Sequence, residues 1–382
     1  MAGECKVLVG TTKGAFILMS SDGRRTWSLS GPHCDLWTIN HVIGDPESGA
    51  LWAGGGSDWS GAGVWRSTDG GETWTLSQLS NGMMAEWAAN DPGFAEMIGG
   101  VPPDAPYSSD LVSIWSITHA HGKLYAGSKP AHLFTSTDGG ATWDRVEGLT
   151  EHPTRDSWNP GGAGLTLHTL LPHPAKPAHM TIAISAAGVF STQDDGATWD
   201  RTNRLGNAES HDHHDHDHSH EIGHCVHNMM RAPSDDDLIY QQNHHGVFRS
   251  NDGGQNWHDI TEGLPSSFGF PIAVHPHDPY TIWTIPLNGD MQGRFPPDAK
   301  AAVWRSRDAG ETWEATRTGL PQRNCFFTVL RQAMATDTSK NGGVYFGTNT
   351  GSVFATTDGG ETWDEIARHL PTVLSIETLE IS

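Results

Sequence analysis

The sequence predicts an all-β protein, a seven-bladed β-propeller forming a single domain over residues 1–382. Three observations predict it: one octapeptide returns seven times, short apolar strands precede the copies, and the two ends of the chain supply complementary parts of one blade.

The octapeptide has the form Ser/Thr-x-Asp-x-Gly-x-Thr-Trp. Its copies are SSDGRRTW from Ser20, STDGGETW from Ser67, STDGGATW from Ser136, TQDDGATW from Thr192, SNDGGQNW from Ser250, SRDAGETW from Ser306 and TTDGGETW from Thr356. This is hairpin-turn chemistry. The Asp accepts from backbone N–H groups a few residues on, Gly supplies positive φ, and Trp packs back as a cap. Upstream of the copies lie strands such as Gly63-Val64-Trp65-Arg66 and Gly188-Val189-Phe190, and before those Ile182-Ala183-Ile184 or Val344-Tyr345-Phe346-Gly347. Short strands and Gly-rich turns at this period describe a propeller of four-stranded blades. Lys6 to Thr11 matches the second strand of later blades, and Thr372 to Glu377, after the last octapeptide, reads as an innermost strand. The C-terminal strand is therefore expected to pair into the N-terminal blade, completing it and removing an open sheet edge.

Composition bounds the function. Hydrophobic content of 36% with 16 Trp supplies a packed core, and 23 Lys plus Arg against 45 Asp plus Glu give a net charge of -22. That charge, without a basic stripe, argues against nucleic acid and anionic membrane surfaces as partners. No stretch of about 18 apolar residues is present to span a bilayer, and Met1 to Lys6 has no export-signal pattern. Cys5, Cys34, Cys225 and Cys325 are unpatterned, so four free thiols in a cytoplasmic protein are expected.

The octapeptides are identified as Asp boxes, the bacterial neuraminidase repeat. Nearly the whole chain resembles bacterial Asp-box propeller proteins labelled sialidase-like or glycosyl-hydrolase-like, a family without a settled reaction. Cys225-Val226-His227, Tyr240-Gln241-Gln242-Asn243-His244 and Phe268 to Pro276 carry the resemblance further. It implies a fold and no substrate. A sialidase would need an arginine cluster, a tyrosine nucleophile with a carboxylate partner and an acid/base Asp. That set and the Arg-Ile-Pro motif of the six-bladed sialidases are missing from the sequence, so sialidase activity is not expected.

Chemistry in a propeller is expected where innermost strands line the channel, on the face carrying the loops between second and third strands and between blades. Counting back from the turns that end the inner strands, Asn40, His168 and His227 each lie six residues before a proline, Pro46, Pro174 and Pro233. These are equivalent positions, and His41 follows Asn40. Asn243, His244 and His245 are expected on the same face, with Arg331 and Glu377 on the inner strands of blades seven and one. His168, His227, His244 and His41 are the candidate ligands of a divalent transition metal, Zn, Ni, Cu, Mn or Fe, with an open position for a bound water. The competing reading is a wet channel whose histidines are satisfied by water and backbone. Cys225, two residues before His227, is assigned to packing. Glu377, Arg331 and Asp290 are the candidate catalytic residues, and Asp58 is a further loop carboxylate. The function this composes is a hydrolase or lyase acting on a small polar molecule. The alternative is a non-catalytic propeller that binds a protein or small ligand.

Two insertions stand out. Residues 80–110 lengthen one inter-blade loop and are a candidate lid. Residues 207–222 form a loop containing the tract Ser210 to Glu221, dense in His and Asp, with the composition of a metal-capture segment. Imidazole releases metal as it protonates, around an unperturbed pKa of about 6.5. Several weakly held ions are therefore expected to leave as pH falls from about 7.5 to 5.5, and deleting residues 210–221 should abolish that weak class; metal titrations of the full and trimmed chains check both.

Overall fold

The computed structural model describes residues 4–108, 110–202 and 225–381; the His/Asp tract lies outside these. Seven four-stranded antiparallel sheets form the blades. The inner strands run Val373–Ile381, Ile39–Gly44, Ser113–Ala120, Thr166–Pro172, Val226–Arg231, Gly269–His275 and Met334–Thr336 for blades one to seven. Each touches the next, and that of blade seven touches that of blade one.

The Asp boxes turn the chain from the third to the outermost strand. Asp69 accepts from Ser67 Oγ at 2.8 Å and from the Thr73 amide and hydroxyl at 2.9 and 2.6 Å. Trp74 donates its ring N–H to the Gly71 carbonyl at 2.9 Å. Gly70 and Gly71 have φ of 76° and 104°, a pair of left-handed residues of the kind that two-residue hairpin turns require. Apolar side chains fill the spaces between neighbouring blades, as where Leu8 and Ile17 of blade one meet Leu51, Ala53 and Trp65 of blade two. The core is thus a set of inter-blade layers arranged around the channel axis.

Closure follows the expected scheme. Val373–Ile381 pairs antiparallel with Glu4–Thr11, setting Leu8 opposite Glu377 and Val9 opposite Ile376. A second device ties the same seam. In the first Asp box Arg24 replaces the glycine found in the other six, at φ 67°, a conformation that costs a non-glycine residue about 1–2 kcal/mol. From there its Nε donates to Asp337 Oδ2 at 2.7 Å and to Tyr345 Oη at 3.0 Å, and its Nη2 pairs with Glu380. Tyr345 Oη also donates to Asp337 at 2.8 Å. One guanidinium so joins blade one, the closing strand and blade seven.

Six inner strands carry a β-bulge near their start, and in each an extra residue stands opposite the second strand without a ladder partner. These residues are Leu374, Asn40, Trp115, His168 and His227, with Phe270 and Pro271 in blade six. Bulges re-aim side chains, and here they do so at the equivalent positions that proline counting identifies.

Residues 80–110 form helices α1 (Met83–Asn90) and α2 (Pro92–Met97). The Met83 and Met84 amides bond to the Asp58 and Trp59 carbonyls at 2.9 and 3.0 Å, and Trp59, Trp87 and Phe94 meet edge to face. This anchors the insertion to its own blade, and none of its described residues lines the channel cavity described below.

Asp337 is fully buried and Arg24 partly so, so removing the cation leaves an uncompensated buried carboxylate, a loss of about 3–5 kcal/mol. Burial alone would push the Asp337 carboxyl up. Hydrogen bonds from Ser339 and Tyr345 and the charge of Arg24 outweigh it and hold the group below the usual carboxylate range. A carboxyl held low in the folded state stabilises above its unfolded pKa, about 3.9 for Asp, and loses that contribution as pH falls through the folded value. Arg24→Met should therefore unfold at markedly lower denaturant than wild type at pH 7, with the difference narrowing below about pH 4; equal midpoints at pH 7 would show the seam does not depend on Arg24.

Candidate functional site at the channel mouths

The channel ends in two separate cavities. The upper, of about 490 Å³, gathers residues at the starts of the inner strands, among them Cys225, His227, Phe270, Arg331 and Leu374. The lower, of about 400 Å³, gathers residues nearer their ends, including His41, His119, Thr336 and Glu377. Between them Asn228 of blade five donates to the Arg331 carbonyl of blade seven at 2.8 Å, and Gln332 of blade seven donates to the His168 carbonyl of blade four at 3.1 Å. Bonds between blades that are not neighbours must cross the axis, so they form a floor.

The candidate residues are divided by that floor. His227, His244, Asp290 and Arg331 line the upper cavity, whereas His41, His168 and Glu377 line the lower. A four-histidine cluster is not formed, and Glu377 does not converge with Asp290. His41 accepts the Ile117 amide N–H on Nδ1 at 3.0 Å and donates Nε2–H to Glu377 Oε1 at 3.1 Å, so both ring nitrogens are committed. His168 is buried, its Nδ1 lies 2.9 Å from Thr169 Oγ1, and its Nε2 has no partner among the described residues. Asn40 holds blades two and three together through Ser113 Oγ at 2.6 Å and the Ile114 carbonyl at 2.8 Å. Asp58 is exposed on the loop under α1.

In the upper cavity three potential metal donors do converge. The ligand atoms of Cys225, His227 and His244 all lie within 4.8 Å of one another. The local fold explains it: the bulge swings His227 inward, and the His244 amide bonds to the Cys225 carbonyl at 2.9 Å, fixing the second-to-third-strand loop against the start of the inner strand. His227 Nδ1–H donates to the Gly269 carbonyl at 2.5 Å, which leaves Nε2 as its acceptor nitrogen. Phe268 and Phe270 pack against its ring at 5.3 and 4.6 Å between centroids. Burial, then the charge of Arg331, holds His227 well below the usual imidazole range. Burial lowers His244 also, against the pull of Asp290. Both rings are neutral at physiological pH, the form that binds metals. Burial pushes the Cys225 thiol up, opposed by its contact with Ser185 and by Arg331.

Around this group, Asp290 Oδ2 lies 4.0 Å from His244 Nε2 and Asp290 Oδ1 takes the Arg294 Nε–H at 2.5 Å. The Arg331 and Arg294 guanidiniums lie 5.3 and 5.6 Å from the Phe270 ring. Sequence reasoning did not single out Arg294, Trp115 or Phe270, and placed Cys225 in packing. The signal available for Cys225 was its two-residue offset from His227, which puts both side chains on one face of the strand; the loop carrying Arg294 has no pattern that marks it.

Fold and cavity together define a seven-bladed Asp-box β-propeller with a ligand-sized pocket at one channel mouth. A model of the BNR/Asp-box repeat matches residues 65–76. A sequence search finds no match among curated proteins. By structure the chain is similar to the GH74 xyloglucanase from Xanthomonas campestris, with a TM-score of 0.63 and 16% identity over 95% of this chain and 52% of that one. It is also similar to a 6-phosphogluconolactonase-like propeller from Bacteroides uniformis, with a TM-score of 0.59 and 11% identity over 99% and 100%. YCF48 bound to D1 peptide gives a TM-score of 0.52 and 16% identity over 86% and 81%. The chain spans about half the length of the xyloglucanase and 38% of an ancestral GH74 enzyme. At these identities the likeness is one of fold, and the fold serves both hydrolases and a peptide binder. Among the described residues no helix is long and apolar enough to cross a membrane.

Proposed function

We propose that the chain is an enzyme of hydrolase or lyase type acting on a small polar molecule in the upper cavity, with a divalent transition metal held by Cys225, His227 and His244. The convergence of these three donors at the wall of a cavity about 490 Å³ in volume carries the reading. One sulfur and two imidazoles suit Zn²⁺ before Mn²⁺, and three protein ligands leave a position open toward the cavity. A metal so bound would polarise an oxygen of the substrate or activate a water. The chain's own residues supply the remainder. Gly269 fixes the His227 tautomer, Asp290 stands beside His244 where it can take up and return a proton, and Arg294 holds Asp290 in place. Phe268 and Phe270 exclude water from the back of the imidazole.

Elemental analysis after deletion of residues 210–221 tests this directly. About one equivalent of tightly held metal is expected, falling below about 0.2 equivalents in Cys225→Ser and His227→Ala, as for a single three-ligand site. A trimmed chain with no tight metal would instead favour the non-catalytic binding propeller.

A further inference from the structure

Arg331 has a burial cost that no ion pair or hydrogen bond with a described residue offsets. It sits just before the inner strand of blade seven, facing the upper cavity, with its Nε wholly buried and unpartnered. Its guanidinium makes no ion pair or hydrogen bond with any described residue. Arg294, close by, shows the contrast, because its charge is met by Asp290 at 2.5 Å. Around Arg331 the cavity presents the Phe270 ring at 5.3 Å, the apolar side chains of Trp115, Leu330 and Leu374, and the neutral His227. Cation–π attraction recovers a small part of the penalty. Taking a guanidinium out of water without a carboxylate or comparable acceptor costs several kcal/mol.

A charge left unpaired at the wall of a pocket is paired when the pocket fills. The planar fork of an arginine matches a carboxylate, which it receives through two parallel N–H···O bonds. The charge balance agrees. Asp290 cancels Arg294, and Arg331 leaves one positive charge over; a divalent cation with a Cys225 thiolate would add another. The apolar wall beside Arg331 calls for an apolar body attached to the anionic group, and the volume lies in the small-molecule range.

We propose that Arg331 is the carboxylate receptor of the upper cavity, and that the ligand is a small carboxylic acid whose body packs on Phe270 and Trp115. The proposal rests on the reading of this cavity as the functional site and does not depend on the metal. Arg331 positions the ligand and takes no part in bond making.

Calorimetric titration of the full chain with benzoate, its uncharged counterpart benzamide, and inorganic phosphate tests the proposal, with thermal melting run in parallel. Benzoate is expected to bind, and benzamide and phosphate to bind at least about tenfold more weakly, since a hydrogen-bonded charge pair is worth that much. Arg331→Met should weaken benzoate by at least about tenfold and Arg331→Lys, which keeps the charge but loses the fork, by less. Without ligand, Arg331→Met should melt at the same temperature as wild type or higher, because it removes a buried unpaired charge. No binding of benzoate, equal binding by Arg331→Met, benzamide binding as well as benzoate, or phosphate binding more tightly would each overturn the proposal. Repeating the titration on chelator-treated protein separates the two claims. Arg331-dependent benzoate binding in a chain that never held tight metal upholds the receptor and removes the metalloenzyme. One tight equivalent of metal with benzoate binding indifferent to Arg331 does the reverse.

Discussion

A ring of sheets built from one chain has a seam, and every inner strand keeps its position only if the seam holds. Here the last strand of the chain enters the first blade in the register Val9 to Ile376, which gives Glu4–Thr11 the inner partner it would otherwise lack. Backbone pairing alone would tolerate slippage by two residues. Arg24 adds a specific lock, reaching from a strained turn to Asp337, Tyr345 and Glu380. The single glycine in the seven turns that is replaced by a long cation is the one beside the seam, and the strain of a left-handed arginine is tolerated where its charge is needed.

With the ring closed, the β-bulges decide what faces the axis. An extra residue at the start of an inner strand shifts the alternation of side chains from that point on, and in blades two, three and five it sets neighbours in sequence toward opposite mouths. Asn40 lines the upper cavity and His41 the lower; His227 lines the upper and Asn228 the lower. The floor made by Asn228, Arg331, Gln332 and His168 then isolates the two. The upper cavity receives sulfur, imidazole, guanidinium and carboxylate groups. Its counterpart below receives a paired His41–Glu377 couple and a set of hydroxyls and amides.

The blades were legible because an Asp box is a local device, with Asp, Gly and Thr making their bonds within five residues of one another. Closure was legible because one strand was missing at one end of the chain and supernumerary at the other. Counting from the prolines found the equivalent inner positions, since the bulge lies at a constant distance from the turn. The same counting could not tell which mouth His41, His168 or Glu377 would face, because that depends on the bulge and on how each strand enters the axis. Nor could it pair Arg294 with Asp290 or bring Cys225 to His244, contacts set by the course of a loop. Arg24 was visible as a departure from the repeat, but its partners lie more than 300 residues away in sequence.

The central claim is that the bulge in blade five and the loop before the third strand of that blade compose a Cys-His-His metal centre. Near-ultraviolet absorption of the cobalt-substituted protein tests it most directly, because a thiolate on the metal produces an intense sulfur-to-metal charge-transfer band there that imidazole and carboxylate ligands do not. The account predicts that band in the wild-type chain trimmed of residues 210–221, and its loss in Cys225→Ser with the folded structure retained. A cobalt spectrum without the band, or one unchanged by Cys225→Ser, would contradict it.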